Sequence, residues 1–402
     1  MLNPSLALLA SIALILILLR LKLHPGLAIF AGSLTISLLI LPLHSMPGLM
    51  GQTLLSHQTL KLLAIIASAL TLSRLMEVKG LLTSLAATMG RIGPRLAIYL
   101  VPAAIGLLPM PGGALVSATA LRGLAKRMDL TPERVTFINY WFRHLWEYSL
   151  PLFPSIIATS VILSVPLSSV IITLLPMTAL ALAFGAISSY RMLKPNKSQE
   201  PKERMSKGIA ANLLRASWPI PLVVALVLLG LDAVIAFPLT LALLALQQRV
   251  KWPELKQALK YGLDPKILFL LYAIMLYRTT IESSGTAYAL FSDLQNIGLP
   301  ALVVLATLPF LTGFATGISS GFVSISLPLL VPFLALGSEL NSYALLLAYT
   351  SGIVGYLLSP LHLCLILSAA YFKASLARVY RYLVPPLLAV EAIAVLIYYI
   401  AA

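Results

Sequence analysis

The 402-residue chain is poor in charged residues and holds a single cysteine. Charged side chains make up only 10% of it, whereas a soluble globular domain carries about a quarter, so that class is excluded. Because Cys364 stands alone, no internal disulfide can form, and a disulfide-stapled scaffold is excluded too. The sequence also lacks a His-Glu-x-x-His motif and a Walker A string, which argues against a metallopeptidase and an ATP-driven pump.

The sequence instead contains long hydrophobic segments. Hydrophobic residues make up 59% of the chain, and its mean hydropathy is +0.96. Apolar runs such as 6–19 and 216–231 are too long and continuous for the alternating strands of an outer-membrane barrel. At about 20 residues per crossing, the length allows roughly ten spans. The composition therefore predicts an all-α polytopic membrane protein.

The net charge of +15 lies in loops rather than on a soluble domain. Basic loops alternate with loops that carry little positive charge, as the positive-inside rule predicts, and no basic stripe with interleaved aromatic residues indicates a nucleic-acid partner. The longest polar stretch, 190–215, is one of the basic segments. We therefore expect a multi-pass protein of the cell (inner) membrane, with this linker in the cytoplasm and both termini outside.

Two similar halves flank the linker, and this predicts an internal repeat. Residues 72–74 (Leu-Ser-Arg) align with 276–278 (Leu-Tyr-Arg), and Gly112 aligns with Gly317. Pro151 aligns with Pro360 at nearly the same offset. The charge pattern gives the two halves opposite orientations, which is typical of secondary transporters. The expected organisation is a first inverted repeat at 1–189, a cytoplasmic linker at 190–215 and a second inverted repeat at 216–402.

Each half contains two interrupted apolar segments. Stretches 97–121 and 301–334 are broken by glycine-rich tips and predict re-entrant hairpins, whereas 139–162 and 349–372 are broken by prolines and predict transmembrane helices interrupted in mid-span. Such backbone is tolerated at membrane depth only where it lines a cavity or is buried in protein. We expect the four interruptions to converge near the middle of the membrane.

The interruptions supply the candidate site residues. Backbone and hydroxyl groups at these places are the predicted substrate ligands: Pro111, Gly112, Gly113, Ser149, Thr316, Gly317, Ser319, Ser320 and Ser359. Ionisable residues in apolar segments are functional candidates, and four are assigned to charge or proton coupling: Arg143, His144, Glu147 and His362. The i, i+4 spacing of Arg143 and Glu147 predicts a shared helix face. Two alternatives stay open, an interfacial network of Arg143, His144 and Glu147, and a buried neutral His362 with no role.

Three strings in the sequence carry a family resemblance: LPMPGGA at 108–114, NYWFRH at 139–144 and WEY at 146–148. Through them the sequence resembles an uncharacterised family of prokaryotic membrane proteins, domain of unknown function 401. The architecture is similar to that of the ion transporter superfamily along essentially the whole chain. This resemblance implies a dimeric scaffold and a mobile domain of two hairpins and two broken helices that moves as an elevator. The Ser-Asn-Thr sodium motif of the dicarboxylate carriers is absent at both tips.

The leading functional prediction is a secondary active transporter for a small organic or inorganic anion. Coupling to a proton is favoured over coupling to sodium, and no metal or cofactor is expected. The alternative is a cation/proton antiporter that uses Glu147 and the carbonyls of the hairpin tips. An intramembrane enzyme is disfavoured, because the serine-hydrolase-like string GISSG at 317–321 ends a hairpin arm rather than following a strand.

Overall fold

The computed structural model describes residues 3–110, 112–190, 193, 207–336 and 339–401. Within these ranges the chain is helical apart from turns and one short antiparallel pair, β1 (Ala335–Leu336) with β2 (Glu339–Leu340). The predicted all-α class is therefore confirmed. Most of the linker, together with Pro111 of the first hairpin tip, lies outside the described residues.

The helices fall into four groups along the chain. The first group precedes the repeat: α1 (Pro4–Arg20), α2 (Pro25–Ile40) and α3 (Met46–Leu55). The second forms the first repeated unit: α4 (His57–Val78), α5 (Leu81–Met89), α6 (Pro94–Gly106), α7 (Gly113–Arg127), α8 (Pro132–Arg143), α9 (Pro154–Leu163) and α10 (Leu167–Tyr190). The third follows the linker: α11 (Lys207–Ser217), α12 (Pro219–Leu228), α13 (Ala233–Gln247) and α14 (Trp252–Gly262). The fourth is the second repeated unit: α15 (Pro265–Ser284), α16 (Thr286–Asn296), α17 (Ala301–Thr316), α18 (Ser319–Leu334), α19 (Ser342–Leu358), α20 (Leu363–Phe372) and α21 (Leu376–Ala401).

Helices α4–α10 recur, element for element, as α15–α21. The packing recurs too: α6 packs on α8 as α17 packs on α19, and α10 packs on α19 as α21 packs on α8. Between the halves, α7 packs on α20 and α18 packs on α9. This reciprocal exchange is the arrangement of two units related by a pseudo-twofold axis, so the predicted inverted repeat is confirmed.

The hairpins turn at glycines with left-handed backbone. Helices α6 and α7 join at Gly112, with φ of +73°, and α17 and α18 join at Gly317, with φ of +67°. A side chain in this region crowds the following carbonyl oxygen, which explains glycine at both tips. The two tips that the sequence aligns are therefore equivalent in backbone conformation as well.

Each broken helix packs against the incoming arm of a hairpin without intervening side chains. A β-carbon added at Gly106 of α6 would lie 2.1 Å from the carbonyl oxygen of Arg143, where α8 ends. At Gly355 of α19 the corresponding distance, to the carbonyl oxygen of Phe310 in α17, is 2.2 Å. Since such backbone contact excludes any larger residue, each hairpin arm and its broken helix form one rigid unit.

Four described helices are long and apolar enough to cross a bilayer, and a fifth crossing is possible if the bent pair at 208–228 counts as one span. Seven further apolar helices have only 10–17 residues, so on their own they fall short of the roughly 20 residues that a perpendicular crossing needs. Large apolar side chains lie exposed along α1, α10 and α21, as a lipid-facing surface requires. The chain is thus a multi-pass membrane protein.

Three short helices lie outside the interrupted segments expected from the sequence: α3, α5 and α16, of 9 to 11 residues. The last helix, α21, begins at Leu376, so the basic residues Arg378 and Arg381 belong to its first turns.

Ion pairs tie α4 to its neighbours at both ends. Near its start, Lys61 bonds Asp232 in the turn between α12 and α13, at 2.6 Å. Just after its end, Lys79 bonds Glu254 of α14 at 3.0 Å. The Lys251 amide and the Lys79 ammonium hold the pKa of Glu254 below its ordinary value. Both pairs lie near the surface, where water screens the charges, so they orient α4 more than they stabilise it.

Candidate functional site

All four interruptions border one cavity. It has a volume of about 420 Å³ and is lined by the end of the first hairpin tip, both helix breaks and the second hairpin tip; we call it the central cavity. Its polar lining consists of residues from both repeats: Arg143, Glu147, Ser155, Ser319, Ser320, Ser324, His362 and Cys364. The predicted convergence of interrupted segments is thus present in the fold, and it brings together residues more than 200 positions apart in sequence.

Two histidines face each other beside this cavity. Nε2 of His144, in the first break, lies 3.1 Å from Nε2 of His362, in the second. The other ring nitrogen of each donates to a backbone carbonyl, His144 to Tyr140 at 2.5 Å and His362 to Gly317 at 2.6 Å. His362 therefore links the second hairpin tip to both breaks.

Glu147 accepts hydrogen bonds from the second repeat. Its Oε2 accepts from the hydroxyl of Tyr356 in α19 at 2.8 Å, and the Ser319 hydroxyl is a further partner. Its Oε1 lies 3.8 Å from Nε2 of His144. The residue is 8% exposed, and these two hydroxyl groups satisfy its carboxyl group in the buried site.

Arg143 is buried with unused donor capacity. It is 6% exposed, and it donates to Sγ of Cys364 at 3.3 Å and to the carbonyl of Met110 at 3.4 Å. Its Nε has no hydrogen-bond partner among the described residues. The expected shared face with Glu147 does not form, because α8 ends at Arg143 and the chain continues as a 3₁₀ turn over Leu145–Tyr148.

Three half-helices begin at the wall of the central cavity. Pro154 and Ser155 open α9, Ser319 and Ser320 open α18, and Cys364 lies in the first turn of α20. The first N–H groups of a helix have no partner within the helix, and its dipole places partial positive charge there. Together with the guanidinium of Arg143, these termini make this wall of the cavity attractive to an anion.

The remaining predicted ligands divide into two sets. Those near the second tip lie close to the cavity: the Gly317 carbonyl accepts from His362, and Ser359 donates to the Phe314 carbonyl at 2.7 Å, beneath that tip. Others point elsewhere. The Thr316 hydroxyl donates to Thr312 of its own helix, and Ser149 bonds Thr178 of α10 at 2.7 Å.

Two of the predicted ligands at the first hairpin tip, both glycines, are among the described residues. Gly113 packs against the guanidinium of Arg143, since a β-carbon there would lie 2.6 Å from Nη2, whereas a β-carbon at Gly112 would meet nothing within 4 Å. Pro111 lies outside the described residues. Sequence reasoning did not include Tyr356, Ser155 or Cys364 among the site residues. The one available signal was the proline at 154, which marks the start of a half-helix.

The cluster contains a set of donors that could suit a transition metal. The side-chain donor atoms of His144, His362 and Cys364 all lie within 4.8 Å of one another. However, Nη1 of Arg143 lies 3.5 Å from Nε2 of His144 and 3.3 Å from Sγ of Cys364. A permanent positive charge against two of three ligands opposes a divalent cation, so these donors do not fit a resident metal.

Fold and site together define an all-α membrane protein of two inverted repeats around a buried polar centre. The chain belongs to the family DUF401, described as a protein of unknown function, whose model matches residues 3–401. Eighteen chains of solved structures match the fold. One is the YdaH transporter of Alcanivorax borkumensis, with 14% identity, a TM-score of 0.61, and coverage of 98% of this chain and 97% of that one. No curated protein matches the sequence.

Proposed function

We propose that this protein is a secondary active transporter for a small anion. The observation that carries the proposal is the convergence of three half-helix N-termini and the underused guanidinium of Arg143 on one buried cavity. A volume of about 420 Å³ suits a small carboxylate or an inorganic oxyanion. The fold's likeness to the YdaH transporter supports transport rather than enzymatic activity.

A path across the protein follows the contact between α4 and α9. The central cavity touches this contact at Leu70 and Ala158, and a second cavity of about 620 Å³, the outer cavity, touches it at Ile65 and Val161. The outer cavity is also lined by Lys61 and Asp232, at the side predicted to be extracellular. Apolar packing between α4 and α9 separates the two cavities, as alternating access requires.

The central cavity extends toward the predicted cytoplasmic side. Its wall includes Tyr261 of α14 and Ile267 near the start of α15, both close to the basic residues Lys256, Lys260 and Lys266. The outer cavity lies at the other end of α4 and α9. On the orientation predicted from the charges, with both termini outside, we propose that this conformation is an inward-facing state.

A repeat-related pair of arginines differs between the two halves. Arg278 of α15 donates to the Val161 carbonyl at 3.2 Å and to the Ser164 hydroxyl at 3.1 Å, at the end of α9. Arg278 also pairs with Glu282 on its own helix at 2.8 Å, as its counterpart Arg74 of α4 pairs with Glu77 at 2.6 Å, but among the described residues Arg74 makes no such bond to another helix. In an inverted repeat the opposite state exchanges these roles, so Arg278 latches the outer end of α9 in this state.

The proposed moving body consists of the two hairpins and the two broken helices. Glycine contacts fuse each hairpin arm to a broken helix, and the Tyr356–Glu147 hydrogen bond joins the two halves of this body. The remaining long helices would form the scaffold, and the family resemblance points to a homodimer through it. The inverted repeats at 1–189 and 216–402, with the linker at 190–215, would each supply half of both bodies.

The alternative is a cation/proton antiporter. Glu147 and the Gly317 carbonyl are oxygen ligands near the cavity, and this observation favours a cation. Arg143 counts against it, because its charge is 94% buried at the same place and has no ionised partner within ion-pair distance among the described residues. We therefore rank the anion first.

The single cysteine provides a direct test. Cys364 lines the central cavity, so a membrane-impermeant maleimide should label wild-type protein in liposomes from the cytoplasmic face only. A bound anion should slow this labelling, and Arg278→Ala should allow labelling from outside. Labelling that ignores the side of addition and the Arg278 change would refute alternating access.

Arg143→Ala tests the anion. Phosphate and succinate would serve as probes of thermal stability, since a ligand that binds only the folded state raises Tm with concentration. We expect one of them to stabilise wild type and the exposed-residue control Arg122→Ala, but not Arg143→Ala. Stabilisation by Na⁺ or K⁺ alone, lost in Glu147→Gln, would establish the antiporter instead.

A further inference from the structure

The hydrogen bonds of His144 and His362 fix where their protons are. A carbonyl oxygen can only accept, so Nδ1 of each ring carries a hydrogen at 2.5 and 2.6 Å from the carbonyls of Tyr140 and Gly317. In neutral imidazoles with this tautomer, both Nε2 atoms are bare lone pairs. They nevertheless lie 3.1 Å apart, which is N–H···N hydrogen-bond distance.

We propose that His144 and His362 bind one proton between them. One added proton turns the contact between two lone pairs into a charge-assisted hydrogen bond. Nη1 of Arg143 points at Nε2 of His144 from 3.5 Å and can only donate, so His144 is the acceptor. The proton therefore resides on Nε2 of His362 and is donated to His144.

The surroundings of the pair act on the added proton in both directions. Arg143 opposes it, and a carboxyl oxygen of Glu147, 3.8 Å from Nε2 of His144, favours it. The titratable and charged groups facing the pair come from α8, the 3₁₀ turn, α19 and the start of α20: Tyr140, Arg143, Glu147, Tyr356 and Cys364. The shared proton adds one unit of positive charge to this set of groups.

In the proposed transporter, this proton determines how anion transport is coupled to proton transport. This step of the inference rests on the proposed function. The added proton makes the site more positive by one charge, which favours an anion at the adjacent N-termini. Since the pair joins both breaks to the second hairpin tip, proton and anion would move together. The expected reaction is symport of one proton with one monovalent anion, without net charge movement.

Nitrogen-15 NMR of histidine-labelled protein tests the proton site without any transport assay. The chain has five histidines, so the signals can be assigned by substitution. As the pH is lowered we expect two Nε2 signals linked by coupling across the hydrogen bond, in place of the two uncoupled, unprotonated Nε2 signals of high pH. His362→Gln should remove the coupling, whereas His44→Gln, at an exposed position, should keep it.

Two results would overturn the proposal. One is a pair of unprotonated Nε2 signals at every pH at which the protein is folded. The other is coupling that appears only after Zn²⁺ is added, which would make the cluster a metal site. Proton-dependent phosphate uptake without Nε2–Nε2 coupling would support the transporter and refute the shared proton. Nε2–Nε2 coupling without any anion binding would support the shared proton and refute the proposed anion transporter.

Discussion

The two hairpin tips allow the backbone strain caused by an added side chain to be separated from its contacts with the site. Gly112 and Gly317 have nearly the same left-handed backbone, with φ of +73° and +67°. A β-carbon at Gly112 would meet no atom within 4 Å. At Gly317 it would lie 3.0 Å from the carbonyl carbon of Leu361, 3.1 Å from the amide nitrogen of His362 and 3.1 Å from Oγ of Ser359.

The expected energies follow from these distances. Alanine in the left-handed region costs about 1–2 kcal/mol, and the loss of unfolded-state freedom returns about 0.4–1 kcal/mol. Gly112→Ala and Gly317→Ala should therefore each lower the free energy of unfolding by roughly 1 kcal/mol. In Gly317→Ala the second break must also shift by a few tenths of an ångström. That shift displaces His362, whose 2.6 Å bond to the Gly317 carbonyl orients it toward His144.

We expect Gly112→Ala and Gly317→Ala to have similar thermal stability but different transport activity. Uptake of the anion identified by thermal stabilisation should fall at least tenfold in Gly317→Ala, equivalent to about 1.4 kcal/mol, and less than threefold in Gly112→Ala. Thermal unfolding in detergent checks that both variants are folded. Equal uptake by the two alanine variants would refute the link between the second tip and the site.

Three further changes test other parts of the structure. Tyr356→Phe removes the 2.8 Å hydrogen bond to Glu147 and leaves a buried carboxyl oxygen without its donor, which costs about 1–3 kcal/mol, so Tm should drop clearly. Gly106→Ala places a β-carbon 2.1 Å from the Arg143 carbonyl oxygen, so the monodisperse yield in size-exclusion chromatography should collapse, whereas Gly123→Ala, with open space around it, should behave as wild type. Burial raises the pKa of Asp232, but the hydrogen bonds from Lys61 and the Val234 amide, together with the positive charge of Lys61, outweigh this and the net pKa is lowered. Its contribution, under about 1 kcal/mol, is therefore present at neutral pH and lost as pH falls through the folded-state pKa, and the fall in Tm on acidification should be smaller in Asp232→Asn.

The sequence was informative wherever backbone conformation depends on residue type. Glycine at 112 and 317 and proline at 154 and 360 locate the hairpin tips and breaks, because left-handed turns and helix starts restrict which residues fit. The partners across the two repeats could not be predicted this way. Nothing in the local pattern places Tyr356 on Glu147, or turns Ser149 away toward Thr178, since both contacts depend on how distant helices pack.

The two repeats share a fold but not a chemistry. The first supplies Arg143, His144 and Glu147 to the site, and the second supplies Tyr356 and His362, which lie within hydrogen-bond distance of Glu147 and His144. Exchanging the conformations of the repeats therefore cannot rebuild the same site from the other half. If the ligand is to keep its partners from one face of the membrane to the other, both breaks must travel as one body. The contacts between the repeats thus favour an elevator, in which the whole site moves, over a rocking motion that separates the two halves.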